Sequence, residues 1–267
     1  MTQIPFTKLH GAENDFLLTW TTDVPASADL PDVARRICAR TTGFGADGWM
    51  LVDRAPGGLR TRLFNSDGSE PEISGNGTRC AAAFALLNAD PLLGEVTITT
   101  VAGPKRLRLI ERHGDRRFSF EIDMGQPVVE DLHATLQLAG QSYDATILNV
   151  GNPQCAVFVD TMPLDWLAAA RQAEAHERFP KHTNVSFVTV SGPHTLRAVF
   201  FERGAGETRS SGTGSTGAAV AAILREVCKS PVEIKTPAGN LYIRWEDSVY
   251  LTGPAEAIGE GRFFLEY

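Results

Sequence analysis

Cysteine is scarce in this sequence, with four residues among 267, at Cys38, Cys80, Cys155 and Cys228. No two of them have CxxC spacing, so a zinc ribbon and a thioredoxin-like motif are excluded. Four thiols in so long a chain also cannot form a disulfide framework. Because their neighbours are mostly apolar, we expect four small buried side chains in a reducing cytosol.

Long hydrophobic runs and an excess of positive charge are also missing. The longest apolar run, residues 80–87, is far shorter than the roughly 20 residues that span a bilayer, and the first residues do not form a signal peptide. The 25 Lys and Arg against 32 Asp and Glu give a net charge of −7. Nucleic acids and anionic membranes recruit basic patches, so we expect a cytoplasmic protein that binds neither. The six histidines lack a ligand spacing such as HExxH, and we expect no metal or organic cofactor.

What the sequence has is the composition of a globular protein, with 43% hydrophobic residues and a length that suits two domains. Short runs of β-branched and aromatic residues predict that strands dominate both halves of the chain. Apolar residues at helical spacing predict four helices, at residues 31–41, 78–87, 165–175 and 215–227.

The two halves repeat one pattern. Asn14 enters a strand in the first half, as Asn152 does in the second. A Ser-Gly-x-Gly turn precedes an Ala-rich helix at Ser74 and again at Ser211. We therefore predict an α+β fold of two pseudo-symmetric lobes, each a bent, mostly antiparallel sheet or barrel around a central helix, with the boundary at residues 118–119. Two such lobes facing each other would place both turns at a shared cleft.

Each Ser-Gly-x-Gly turn is a candidate anion site, because the first N–H groups of a helix lack partners and glycine lets a ligand approach the backbone. The alternative is that Ser74 and Ser211 are only N-caps. Other polar residues lie at strand ends and leave similar alternatives open. Asn14, Asn65, Asn152 and Asn184 are either ligand contacts or turn formers, and Glu202-Arg203 is either a carboxylate-binding arm or a surface ion pair.

Taken together, the motifs resemble the diaminopimelate epimerase family of cofactor-independent amino-acid racemases and epimerases. The matching stretches run in the family's order from Lys8 to Gly261. They are KLHGAENDF, GFGADGWMLV, FNSDGSEPEISGNGTRC, VAGPKR, DMGQP, NVGNPQC, FPKHTNVSFV, FERGAGETRSSGTGSTGAAVAA and LTGPAEAIGEG. The resemblance implies two lobes of eight strands, residues 1–118 and 119–256, with residues 257–267 returning to the first lobe. It also implies a possible homodimer.

The resemblance further implies an isomerase of lysine and peptidoglycan-precursor biosynthesis that inverts the α-carbon of a diaminopimelate-like substrate. One group removes the α-proton and an opposed group delivers a proton to the other face. By the matching motifs, Gly75-Asn76 and Gly212-Thr213 hold the α-carboxylate, and Asn14 lies near the reacting end. The far end of the substrate then meets Asn65, Asn152, Asn184, Glu202 and Arg203.

The sequence departs from the family at the reacting positions. The family's two proton-transfer groups are cysteines, and this chain has Ser74 and Ser211 there. Gln154 stands where the family has a histidine, although the acidic residue before the first thiol is kept as Glu72. A serine hydroxyl is a far weaker acid than a thiol and needs an adjacent base.

Three explanations remain open for this departure. The two serines are a laboratory change, or they belong to a natural epimerase in which hydroxyls or bound water transfer protons. The third is a catalytically altered or inactive member of the family: another isomerase, a dehydratase or a ligand-binding protein.

Overall fold

The computed structural model describes residues 2–88 and 94–265. Within these ranges the chain forms sixteen strands and four α-helices. The strands are β1 (Thr2–Gly11), β2 (Asn14–Trp20), β3 (Gly48–Ala55), β4 (Gly58–Asn65), β5 (Glu95–Thr100), β6 (Gly103–His113), β7 (Arg117–Gly125), β8 (Val128–Leu138), β9 (Gln141–Asn149), β10 (Pro153–Phe158), β11 (Asn184–Gly192), β12 (Thr195–Glu202), β13 (Gly206–Thr208), β14 (Val232–Thr236), β15 (Gly239–Trp245) and β16 (Val249–Leu265). The helices are α1 (Leu30–Ile37), α2 (Gly75–Leu87), α3 (Trp166–Glu174) and α4 (Gly212–Leu224).

The chain divides into two units. The first unit comprises Met1–Ile122 and Gly253–Tyr267, and the second comprises Asp123–Thr252. In the first unit, strands β1 to β7 pair in sequence order, β7 pairs with β16, and β16 pairs with β1. The eight strands therefore form a closed barrel.

Helix α2 fills the inside of this barrel. Every residue from Gly75 to Ala85 is buried, and the ring of Phe84 lies 4.8 Å from that of Trp20 on β2. The shorter α1 covers the outer face of the sheet, where Val33, Ala34 and Ile37 pack against the opposite side of the same strands. Two apolar layers therefore enclose the strands of the first unit.

The second unit repeats this arrangement. Strands β8 to β12, β14 and β15 pair in the order β8-β9-β10-β11-β12-β14-β15, and the first residues of β16 complete the series. Helix α4 is buried from Gly212 to Ala222, while α3 packs outside against Cys155, Val157 and Phe187. Because side chains alternate along a strand, Gln154, Ala156 and Ser186 face the opposite side, toward α4.

The duplication predicted from the sequence is confirmed by the order of elements. Each unit contains the series β-β-α-β-β-α-β-β, from β1 to β6 and from β9 to β15, with the short β13 added before α4. The parallel strand pairs are β2–β3, β4–β5, β10–β11 and β12–β14, and a helix connects the members of each pair. The α+β class with two related lobes is therefore correct.

Several local predictions were incomplete. Helices α2 and α4 begin three residues earlier than predicted, and α4 ends at Leu224 instead of residue 227. The prediction of four buried, unbridged cysteines is confirmed. Among the described residues, no helix combines the length and the apolar character needed to cross a bilayer.

Candidate functional site

Ser74 is the N-cap of α2. Its Oγ accepts a hydrogen bond from the Gly77 N–H at 3.1 Å, with the extended backbone angles that an N-cap requires (φ −128°, ψ 118°). The N–H groups of Gly75 and Asn76 then have no acceptor within the helix. A Cβ on Gly77 would lie 2.7 Å from the terminal methyl carbon of Met50, so a larger residue there would require the end of that side chain to move.

Ser211 caps α4 with the same geometry. Its Oγ accepts from the Gly214 N–H at 3.1 Å, and its backbone angles are φ −137° and ψ 122°. The N–H groups of Gly212 and Thr213 correspond to those of the first helix. A Cβ on Gly214 would lie 2.7 Å from the ring of Phe200, so this glycine is fixed by close packing. The N-cap interpretation is therefore correct for both serines, and it leaves the anion site open, since two N–H groups per helix remain.

The groups around the two serine hydroxyls decide whether either one has a base to accept its proton. Within residues 2–88 and 94–265, no histidine or carboxylate hydrogen-bonds to the Ser74 or Ser211 hydroxyl. Ser74 and Glu72 line one small pocket of the first unit, together with Thr78 and Thr100. Each hydroxyl accepts from an amide and keeps its own hydrogen to donate.

The four cysteines cannot replace the missing thiols. Burial raises the pKa of Cys38, Cys80 and Cys155 to about 12, with Asp15 and Asp47 adding to the rise at Cys38. Burial also raises the pKa of Cys228. The thiolate is the reactive form, so none of these residues supplies it near neutral pH.

Polar side chains of the first unit form one hydrogen-bonded chain at the start of α2. Arg79 Nη2 donates to Asn76 Oδ1 at 2.5 Å, Asn76 Nδ2 donates to Asn14 Oδ1 at 3.2 Å, and Asn14 Nδ2 donates to Asp47 Oδ2 at 2.7 Å. Asp47 also pairs with Arg40 at 2.9 Å. The structure thus brings together the predicted residues Asn14 and Asn76.

Asn65 ends β4 and is part of a tight turn. Its Nδ2 donates to Ser69 Oγ at 3.0 Å, and its backbone N–H donates to the Ser69 carbonyl. Among the described residues its side chain hydrogen-bonds to neither Asn14 nor Asn76. The next residue, Ser66, donates to the Asp47 carbonyl, so this turn adjoins the segment that holds Asn14.

In the second unit a shorter series of side-chain hydrogen bonds leads to the start of α4. Gln154 Nε2 donates to Asn152 Oδ1 at 2.7 Å, and Asn152 Nδ2 donates to Thr213 Oγ1 at 3.3 Å. The direction is opposite to that in the first unit, where the helix residue Asn76 donates to the strand residue Asn14. Thr213 therefore keeps its hydroxyl hydrogen to donate to another group.

Asn184 hydrogen-bonds both to the first residue of β10 and to the residue that follows β12. Its Nδ2 donates to the Pro153 carbonyl at 2.9 Å, and its Oδ1 accepts from the backbone N–H of Arg203 at 3.1 Å. Glu202, at the end of β12, pairs with Gly206 in the β12–β13 hairpin. The predicted residues Asn152, Asn184 and Arg203 therefore lie in one connected group around the first residues of β10.

Comparison with known proteins decides the family. A family model described as diaminopimelate epimerase matches residues 6–130 and 146–258. The chain belongs to the diaminopimelate epimerase family. The diaminopimelate epimerase of Moorella thermoacetica is 38% identical, covering 98% of this chain and 99% of its own length. That of Desulfitobacterium hafniense is 36% identical, covering 95% and 96%.

Solved structures show the same fold at low identity. The Bacillus anthracis phenazine biosynthesis protein of the PhzF family has a TM-score of 0.76 at 14% identity, covering 99% of this chain and all of its own. A probable proline racemase from Agrobacterium radiobacter has a TM-score of 0.75 at 15% identity, covering 98% and 93%. The diaminopimelate epimerase fold of this chain is thus shared with proteins of distant sequence.

Two residues of the hydrogen-bonded series in the first unit, Arg79 and Asp47, were not identified from the sequence. Arg79 lies in an Ala-rich helix, and a single arginine there is easily taken for a solvent-facing residue. It is completely buried. Its signal is position: five residues after the N-cap, it lies in the buried first turns. Asp47 carries no comparable signal, since an acidic residue before a strand is common.

Proposed function

We propose that this chain is an isomerase that interconverts LL- and meso-diaminopimelate in lysine and peptidoglycan-precursor biosynthesis. The observation that carries the proposal is the pair of helices α2 and α4. Both begin at a serine cap with matching backbone angles, and both leave two N–H groups for an anion. Membership of the diaminopimelate epimerase family supports this substrate.

In the proposed reaction the α-carbon loses its proton to one group and receives a proton from a second group on the opposite face. Substrate and product therefore have the same composition, and no co-reactant is consumed. Ser74 and Ser211 occupy the two proton-transfer positions. The N–H groups of Gly75, Asn76, Gly212 and Thr213 would bind the α-carboxylate and stabilise the negative charge that spreads into it.

The remaining predicted residues would select the substrate. Asn14 would lie near the reacting end, and the far amino and carboxylate groups would meet the other polar side chains. Those are Asn65, Asn152, Asn184, Glu202 and Arg203. The amide and guanidinium groups supply the donors that a carboxylate needs, and Glu202 supplies an acceptor for an ammonium group.

We expect the serines to make the reaction slow. A hydroxyl has to lose its proton before it can accept one, and this costs far more than for a thiol. Since no base hydrogen-bonds to either hydroxyl in the described residues, a water molecule held by the hydroxyl is the alternative proton acceptor.

The decisive experiment follows deuterium from D₂O into the α-carbon of LL-diaminopimelate with the protein in excess. We expect slow incorporation above that in buffer. Ser74→Cys combined with Ser211→Cys should raise it by about 10²–10⁴-fold, the range of general acid–base catalysis. Ser210→Cys is the matched control, because Ser210 is buried next to the cap and its Oγ has no partner among the described residues. Binding without any incorporation would exclude the isomerase.

A second candidate function is ligand binding without proton transfer. It is favoured by one observation: each serine oxygen already accepts an amide hydrogen bond, and among the described residues no histidine or carboxylate hydrogen-bonds to it. Calorimetric binding of LL- or meso-diaminopimelate with no deuterium incorporation would establish this function. If neither isomer binds, diaminopimelate is the wrong ligand, and hydroxyproline and other amino acids should be screened for inversion or dehydration.

We also propose that the protein is cytoplasmic and pairs as a homodimer. Four free, buried cysteines support a reducing compartment. Cell fractionation tests the location. Light scattering measures the mass of the protein in solution. A mass of 28.9 kDa, that of one chain, would contradict the homodimer.

A further inference from the structure

The chain of hydrogen bonds from Arg79 to Asp47 has a fixed direction. A guanidinium only donates, so the atom of Asn76 that faces Arg79 is its carbonyl oxygen. A carboxylate only accepts, so the group of Asn14 that faces Asp47 is its NH₂. The middle bond then has to run from the NH₂ of Asn76 to the carbonyl of Asn14, as the structure has it.

Arg79 is an unusual residue for this position. Its side chain is completely buried, and burial lowers its pKa to about 10, so it stays charged at neutral pH. Within residues 2–88 and 94–265 it makes no ion pair. Its other partners are two backbone carbonyls, of Pro254 at 3.1 Å and of Gly75 at 3.2 Å.

Close packing holds this cation in place. A Cβ on Gly11 would lie 3.1 Å from the Pro254 carbonyl oxygen and 3.3 Å from Arg79 Nη2. The backbone of β1 at Gly11 therefore lies close to the guanidinium, and a larger residue there would have to displace it by a few tenths of an ångström. A buried charge without a carboxylate partner is unfavourable for stability, whereas a positive charge near the start of α2 favours a bound anion.

We propose that Arg79 and Asp47 are positioning residues that fix, from opposite ends, the direction of the Asn76 and Asn14 amides. Each amide nitrogen carries two hydrogens, and the chain uses one of them. The second hydrogen of each is left for a ligand, so both residues present donors at the start of α2. Donors suit a carboxylate, and this part of the inference rests on the proposed function.

Either Arg79 or Asp47 alone is enough to set the direction of the hydrogen bonds through Asn76 and Asn14. A specific test therefore has to change both residues. Asp47→Asn removes one fixed end, because an amide both donates and accepts. Arg79→Gln removes the other, whereas Arg79→Lys keeps a group that only donates. We therefore compare two double variants that differ at one residue: Asp47→Asn with Arg79→Lys, and Asp47→Asn with Arg79→Gln.

The first measurement is hydrogen exchange of the Asn14 and Asn76 side-chain NH₂ groups by NMR, which needs no ligand. In the natural sequence and in the lysine double variant, we expect slow exchange of the nearly buried Asn76 NH₂. In the glutamine double variant, we expect exchange at least about tenfold faster, the factor that loss of one hydrogen bond to a charged group predicts. Equal exchange in the two double variants would overturn the proposal.

The second measurement is the Kd for LL-diaminopimelate by calorimetry. We expect the lysine double variant to bind like Asp47→Asn alone and the glutamine double variant to bind about tenfold more weakly. Thermal unfolding of both variants shows whether folding is equal, and the exchange of backbone amides in α2 reports local order. If the natural sequence does not bind the probe, the proposed function fails, and the exchange result alone decides on the positioning residues.

Discussion

Gln154 packs directly against Gly217 of α4. A Cβ on Gly217 would lie 3.2 Å from both Cβ and Cγ of Gln154, which is closer than most side chains approach. Gln154 is 1% exposed, and its Oε1 has no partner among the described residues. Since Gln154 also donates to Asn152, the missing side chain at position 217 helps to place Asn152 beside Thr213.

This contact predicts an unusual outcome for Gly217→Ala. Replacing a glycine in a helix interior with alanine normally raises the free energy of unfolding by about 1 kcal/mol. Here we expect that gain to be cancelled or reversed, because the stem of Gln154 is attached to β10 and cannot move far. In a Gln154→Ala background part of the gain should return, because Cγ is removed while Cβ stays 3.2 Å away. Denaturant unfolding of the four proteins measures this coupling, and equal effects of Gly217→Ala in both backgrounds would contradict it.

Substitution of the two serine caps should show which effects come from helix capping and which from proton transfer. Ser74→Ala and Ser211→Ala should each lower the free energy of unfolding by about 1 kcal/mol, while Ser→Gly at either position should cost only a few tenths. Because the two caps have matching geometry, the two sites should respond alike. If the hydroxyls transfer protons, the glycine variants lose deuterium incorporation although they stay folded. Retained incorporation in a glycine variant would remove that serine from the reaction.

The buried thiols predict a loss of stability at high pH. Burial raises the pKa of Cys155 to about 12, well above that of an unfolded chain. Between the unfolded value and about 12, the unfolded chain has lost the thiol proton while the folded chain keeps it. The contribution of this thiol to the free energy of unfolding should therefore be unaffected below about pH 8.5 and should fall by about 1.4 kcal/mol per pH unit between there and about pH 12.

Other groups also titrate at high pH, so the measurement is a comparison. In Cys155→Ala, the decline of unfolding free energy between pH 9 and 11 should be less steep by the contribution of one thiol. Cys228→Ala is the comparison: burial raises the pKa of Cys228 as well, so its removal should also make the decline less steep. Parallel curves for the natural sequence and Cys155→Ala would contradict the buried-thiol explanation.

Removal of the Arg203 side chain should weaken the binding of a dicarboxylate more than that of a monocarboxylate. Its backbone N–H is held by Asn184, so a change of side chain leaves the loop anchored. If the guanidinium binds the far carboxylate, Arg203→Ala should weaken diaminopimelate by at least about tenfold, the loss of one charge-assisted contact. A monocarboxylate amino acid should lose little. Equal losses for the two ligands, measured by calorimetry, would remove Arg203 from the far carboxylate.

The sequence was most informative where local rules and global fold agree. The Ser-Gly-x-Gly turns at Ser74 and Ser211 each predicted a helix after the turn, and their repetition indicated the two related units. The first residues of α2 were not predicted to be helical, since Gly75 and Gly77 have low helix propensity. Tertiary packing overrides that propensity, because every residue of α2 from Gly75 to Ala85 is buried.

The candidate site was predicted less completely than the fold. Asn14 and Asn76 were identified by motif, but the residues that orient them were not. Arg79 was missed because a sequence shows charge and not burial, and Asp47 because its contact with Asn14 spans 33 positions. Interactions of this kind depend on how strands come together, which local patterns do not report.

Strand β16 has a consequence for the order in which the protein folds. Its residues Gly253–Leu265 belong to the first unit, where they close the barrel between β7 and β1. A ribosome that has released residues 1–252 has therefore made a complete second unit but only seven of the eight strands of the first. The part of the chain synthesised first has to wait, with two unpaired barrel edges, until the residues of β16 emerge.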